Sequence, residues 1–164
     1  MCNWRQRLSA LVAARESVEY PLFVFRVRPP DPSPWPAGLP SSDAIREFYG
    51  LCDGGVLSLE ASWFAKHELI PRRDDLRGQL FDYRGDGKHV LHPERHVVLG
   101  EDSAGAPLIW DAESGELSTF YWKGGDWEPW GLSVDAYLQR LFCDESGDEL
   151  WANALRMPAD ATKE

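Results

Sequence analysis

The sequence predicts an α+β fold in which a mainly antiparallel sheet is flanked by helices. Two observations carry this expectation. Three segments, starting near Trp4, Asp43 and Val134, repeat apolar residues at helical spacing. Between the second and third, short apolar runs alternate with turn residues from Val97 to Trp122, the pattern of a meander. Length sets the scale. A chain of 164 residues and 18.6 kDa can bury one sizeable core without disulfide or metal staples, so a single domain over 1–164 is expected.

Each element has a local cause. Asn3 can cap a helix from Trp4, with Trp4, Leu8, Leu11 and Val12 on one face. Leu22 to Val27 is rich in aromatic and β-branched residues and reads as a strand, completing an N-terminal helix and strand over 1–28. Residues 29–40 hold six of the twelve prolines, which makes them an extended connector, docked or free. Ser42 or Asp43 starts a second helix whose apolar face is Ile45, Phe48, Tyr49 and Cys52. Gly54-Gly55 is expected to end it, and Val56 to Leu59 follows as a strand. Residues 66–89 are polar, and Pro71 with the charges from Arg72 to Arg77 suggests a surface loop or short helix.

Val97-Val98-Leu99, Leu108-Ile109-Trp110 and Leu117 to Trp122 are the meander strands, joined by turns at Asp102–Gly105 and Asp111–Gly115. Lys123-Gly124-Gly125-Asp126 then opens a loop. Ser133 caps a helix with Val134, Tyr137, Leu138, Leu141 and Phe142 as its buried stripe. Leu150, Trp151, Ala154 and Leu155 allow one more short helix before a polar tail at 157–164.

Charge is unevenly placed. The net charge is −10, and twelve acids against two bases, Lys123 and Arg140, fall between residues 100 and 150. That stretch would repel phosphates and attract a basic partner. Apolar runs are far shorter than the ~20 residues of a membrane span, and no signal-peptide core follows Met1. A cytoplasmic protein that binds neither membrane nor nucleic acid is expected. Cys2, Cys52 and Cys143 are odd in number and lack C-x-x-C spacing, which argues against a disulfide framework or zinc ribbon.

Candidate chemistry is sparse. His89, His92 and His96 are the best metal ligands, but His92-Pro93-Glu94-Arg95-His96 fits neither zinc motif of that length. Pro93 also interrupts a helix that would stack His92 over His96. Gly100 to Gly105 lacks the first glycine of a nucleophile elbow, because Glu101 stands there. Asp82 to Gly87 lacks the alternating ligands of a calcium loop. No glycine-rich phosphate loop is present. No catalytic activity, cofactor or metal is therefore expected. Trp122 to Trp130 is more unusual, with three of the eight tryptophans beside Asp126 and Glu128. Trp122 reads as core. Trp127 and Trp130 fit either core or a binding anchor.

Leu39-Pro40, then Ile45, Phe48 and Tyr49, then Asp53-Gly54-Gly55 resemble the helix-and-turn of the SUKH superfamily, the Smi/Knr-type domain named after a yeast cell-wall regulator. Leu99-Gly100-Glu101-Asp102, Gly105, Trp110-Asp111, Gly115-Glu116 and the helix from Ser133 to Phe142 also resemble that family, so the likeness spans roughly 36–142. It implies an α+β fold without catalysis. It also implies an immunity protein that binds and neutralises a cognate toxin, often one acting on nucleic acid. Such a toxin needs a cationic surface. The expected partner-binding residues are Glu101, Asp102, Asp111, Glu113, Glu116, Asp126, Trp127, Glu128 and Trp130. Rival expectations are a regulatory adaptor of the same fold and a small metal-dependent hydrolase using the three histidines.

Overall fold

A computed structural model of the chain describes residues 1–16, 26–58, 61–83 and 89–143. In chain order the elements are α1 (Trp4–Glu16), β1 (Arg26–Val27), α2 (Asp43–Leu51), β2 (Gly55–Ser58), β3 (Ala61–Trp63), α3 (Leu69–Asp82), β4 (His96–Glu101), β5 (Pro107–Asp111), β6 (Glu116–Tyr121), β7 (Asp126–Ser133) and α4 (Val134–Cys143). The seven strands form one sheet in sequence order, each antiparallel to the next. The fold is α+β, a mainly antiparallel sheet flanked by helices. No helix among the described residues is long and apolar enough to cross a membrane.

The helix starts follow their caps. Asn3 Oδ1 accepts the Arg5 amide at 2.9 Å, Ser42 Oγ accepts the Ile45 amide at 3.2 Å, and Ser133 Oγ accepts the Ala136 amide at 3.2 Å. The predicted apolar faces are buried at Trp4, Leu8, Leu11, Ile45, Phe48, Tyr49, Val134, Tyr137, Leu138 and Phe142. On one side of the sheet Trp63 of β3 meets Phe48 of α2, ring centroids 4.3 Å apart, and stacks on Tyr137 of α4 at 6.1 Å. On the other side Tyr83, at the end of α3, meets Phe120 of β6 edge-on at 5.3 Å and donates its hydroxyl to the Trp122 carbonyl.

Several expectations need correction. Gly54-Gly55 does not cap α2, because Cys52 already ends the helix in an extended conformation. Gly55 instead lets β1 approach. Its φ is +131°, and a Cβ there would lie 2.0 Å from the Arg26 carbonyl oxygen. Gly100 does the same where β4 passes β3, with a Cβ 2.0 Å from the Ser62 carbonyl oxygen. The polar stretch after Lys66 is a 14-residue helix, α3, and Pro71 sits in its first turn, where a missing N–H costs nothing. Only Leu69, Leu76 and Leu80 of α3 are buried, too few to show a periodic stripe.

The segment after Trp122 is not an open loop. It is a tight turn into β7, which carries Trp127 to Trp130 along the edge of the sheet, where Pro129 can be tolerated. The proline connector is docked. Lys66 Nζ, buried, donates to the carbonyls of Asp31 and Ser33, both at 2.5 Å, and Trp35 Nε1 donates to Leu39 O at 3.0 Å.

The cysteine arithmetic also misleads. Cys2 and Cys143 are joined by a disulfide across 141 positions, with Cα atoms 5.7 Å apart, while Cys52 is free and buried. Burial pushes the Cys52 thiol up to about 12, so it stays a protonated packing group. The expected strand residues Leu22–Phe25, the short helix around Leu150–Leu155 and the tail at 157–164 lie outside the described residues.

Candidate functional site

Of the nine expected partner residues, six fall at two ends of the sheet and three along its edge. Antiparallel strands alternate direction, so the β4–β5 and β6–β7 turns share one end and the β5–β6 turn lies at the other. Strand rise puts the ends about 15–20 Å apart. Glu101, Asp102 and Asp126 belong to the first end, and Asp111, Glu113 and Glu116 to the second. Trp127, Glu128 and Trp130 run along edge strand β7 between them.

The second end is largely compensated. Arg95, just before β4, grips Asp111 with two bonds of 2.6 and 2.5 Å, and its Nη1 lies 2.5 Å from Glu113. Side-chain hydrogen bonding from Arg95 holds the Asp111 carboxyl down at about 2, and the same bonds raise the Arg95 guanidinium. Among the described residues, Glu116 alone of that set has no ion pair. Sequence reading missed Arg95 because it lies outside the acidic stretch and joins it only through the pairing of β4 with β5.

This pair carries a pH prediction. The Asp111 pKa is depressed below the unfolded value of about 3.9, so its contribution is complete above about pH 4 and fades as pH falls towards 2. The Asp111 side chain is only 15% exposed, but Arg95 is 39% exposed, so the pair is partly screened. Asp111→Asn is expected to cost about 1–2 kcal/mol at neutral pH. Denaturant titrations at a series of pH values check this, because the gap between variant and wild type should close between pH 4 and 2.

The first end is open. Asp102 spends its carboxylate on its own turn, with Oδ1 accepting the Ala104 and Ala106 amides at 2.9 and 2.8 Å. The Glu101 carboxylate makes no hydrogen bond or ion pair with another described residue. Asp126 and Glu128 are exposed, and the neighbouring base is Lys123. The two candidate tryptophans separate. Trp127 is half-buried against Phe120 at 5.4 Å and His96 at 6.3 Å, so it packs. Trp130 is 37% exposed and leans on Tyr137 at 5.4 Å, and Tyr121 at the end of β6 is 43% exposed. Tyr121 was not picked out from the sequence, because it alternates within a strand pattern that explains it as structure.

The histidines are not gathered around one point. His89 packs on Tyr83 and Phe120, whereas His92 and His96 lie 5.7 Å apart. His96 Nδ1 accepts the His92 amide at 2.9 Å, which uses the lone pair a metal would need. Burial lowers the His96 pKa, which disfavours the charged ring. Among the described residues no group of three or more His, Cys, Asp or Glu is arranged to hold a metal ion. Elemental analysis is expected to find far less than one zinc per chain. A stoichiometric zinc lost in His92→Ala or His96→Ala would contradict this.

No family model, curated protein or solved structure matches this chain.

Proposed function

We propose that this chain is a non-enzymatic binding protein of the immunity type, which neutralises a basic, nucleic-acid-targeting protein toxin. The observation that carries the reading is the open end of the sheet with its adjoining edge. Asp126 and Glu128 present carboxylates along edge strand β7, which also carries exposed Trp130, with exposed Tyr121 opposite Asp126. Glu101 presents a third carboxylate at the same end of the sheet, and none of the three makes an ion pair with another described residue. Like charges held together repel one another, and a cationic partner relieves that repulsion and is steered in. Trp130 and Tyr121 supply large apolar area of the kind that anchors interfaces. Covering a toxin's cationic surface would deny it its nucleic acid.

The resemblance to the SUKH superfamily supports the same reading. The residues that carry it are structural joints. Tyr49 donates its hydroxyl to Phe64 O at 2.8 Å, and Asp53 Oδ1 accepts the Lys66 amide at 2.8 Å. A cytoplasmic site of action belongs to the proposal. The Cys2–Cys143 bridge pulls against it, since disulfides persist mainly in oxidising compartments.

The test is co-expression with the product of the adjacent gene. The proposal expects that product to be toxic alone, harmless with this protein and copurified with it. A product that is harmless alone, or toxic in the presence of this protein, would count against it.

A further inference from the structure

A cavity of about 120 Å³ opens at the same end of the sheet, between α3 and the β4–β5 turn. Asp75 and Gln79, one helical turn apart on α3, form one wall. Glu101 at the end of β4 and Trp122 just after β6 form others. Among the described residues, the side chains of Asp75, Gln79 and Glu101 make no hydrogen bond or ion pair, unlike those of Asp102, Asp111 and Glu113. The cation in the wall, Arg72, is already engaged. It lies 4.6 Å over the Phe64 ring and 3.8 Å from Glu68.

We propose that this cavity receives an arginine side chain from a protein partner, with the guanidinium between Asp75 and Glu101 and its plane against Trp122. The inference rests on the reading of this protein as a binder of a basic partner and names the anchor. Size argues for a single side chain, because drug-sized ligands occupy about 300–1,000 Å³. Charge argues for a cation, since two carboxylates without an ion pair among the described residues flank one space, against a single guanidinium, Arg72, that is already held by Glu68 and Phe64. The indole and the amide argue for arginine over lysine. A guanidinium is planar, weakly hydrated and carries five donors, so it can stack on Trp122 while it bonds Asp75, Glu101 and the Gln79 carbonyl together. A compact ammonium keeps its water more tightly and does not stack.

The probe is N-acetyl-argininamide, titrated into isotope-labelled protein and followed by NMR. Saturable shifts centred on the Trp122 indole N–H and the Gln79 amide are expected, with millimolar affinity. Asp75→Asn combined with Glu101→Gln should weaken binding about tenfold while the melting temperature stays near that of wild type. N-acetyl-lysinamide should bind more weakly. Shifts that spread over the acidic surface without saturating, equal binding by the double variant, or equal binding of the lysine probe would each overturn the proposal. The probe needs no toxin, so its failure removes the pocket and leaves the wider reading to the co-expression experiment.

Discussion

Phe48→Ala is expected to destabilise the protein by about 3–5 kcal/mol. The Phe48 side chain is fully buried, with its ring 4.3 Å from Trp63 and 5.1 Å from Tyr49. It couples α2 to β3, and Trp63 carries the contact on to Tyr137 of α4. Truncation would leave a cavity that its walls cannot close. Trp63 is held in the sheet opposite Gly100, where the strands already touch too closely for a Cβ. Tyr49 is tied through its hydroxyl to Phe64 O. Loss of packing on both sides adds to the lost transfer free energy. Denaturant titration checks the value, and the slope with denaturant should not change. A loss below about 1 kcal/mol would mean that Phe48 does not hold α2 to the sheet.

Removing the disulfide through Cys2→Ser with Cys143→Ser is expected to cost about 2–4 kcal/mol. The bridge spans 141 positions, close to the whole described chain, so it restricts the unfolded ensemble strongly. The native contacts around it survive the change. Gln139 Nε2 donates to Cys2 O at 2.8 Å, Trp4 Nε1 donates to Asp135 Oδ1 at 3.0 Å, and Arg7 Nη1 donates to Phe142 O at 3.0 Å. The loss should therefore appear in stability and leave the fold as it is. The check compares oxidised, reduced and double-serine protein in denaturant. One reactive thiol, that of Cys52, is expected in the denatured, unreduced chain. Three would contradict the bridge.

The two results bear on what can be read from sequence. Phe48 was legible because local spacing decides it. Ile45, Phe48, Tyr49 and Cys52 repeat at helical period, and all are buried. The β4–β6 meander was legible for the same reason, as Asp102, Gly105, Asp111 and Gly115 mark its turns. The disulfide was not, because no local pattern tells which residues meet across 141 positions. β3 has three residues, too few for a period. β7 was hidden by Pro129 and the glycines at Gly124, Gly125 and Gly131, which an edge strand tolerates and a central strand does not.

The candidate site was legible in composition but not in arrangement. The acidic stretch was plain to see. Its division between two ends of the sheet depends on strand direction, and its partial neutralisation depends on Arg95 reaching Asp111 across the β4–β5 pairing. Asp75 was passed over because α3 shows little apolar periodicity.

The most direct test of the central claim is calorimetric binding of the adjacent-gene toxin to wild type and to the Asp126→Lys, Glu128→Lys double variant, at about 50 and 200 mM salt. Both side chains are exposed on the edge strand, so the fold should tolerate the change. The account predicts that wild-type affinity falls as salt rises, and that the variant binds at least about tenfold more weakly at low salt with a shallower salt slope. Equal affinity and an equal slope for the two proteins would contradict it.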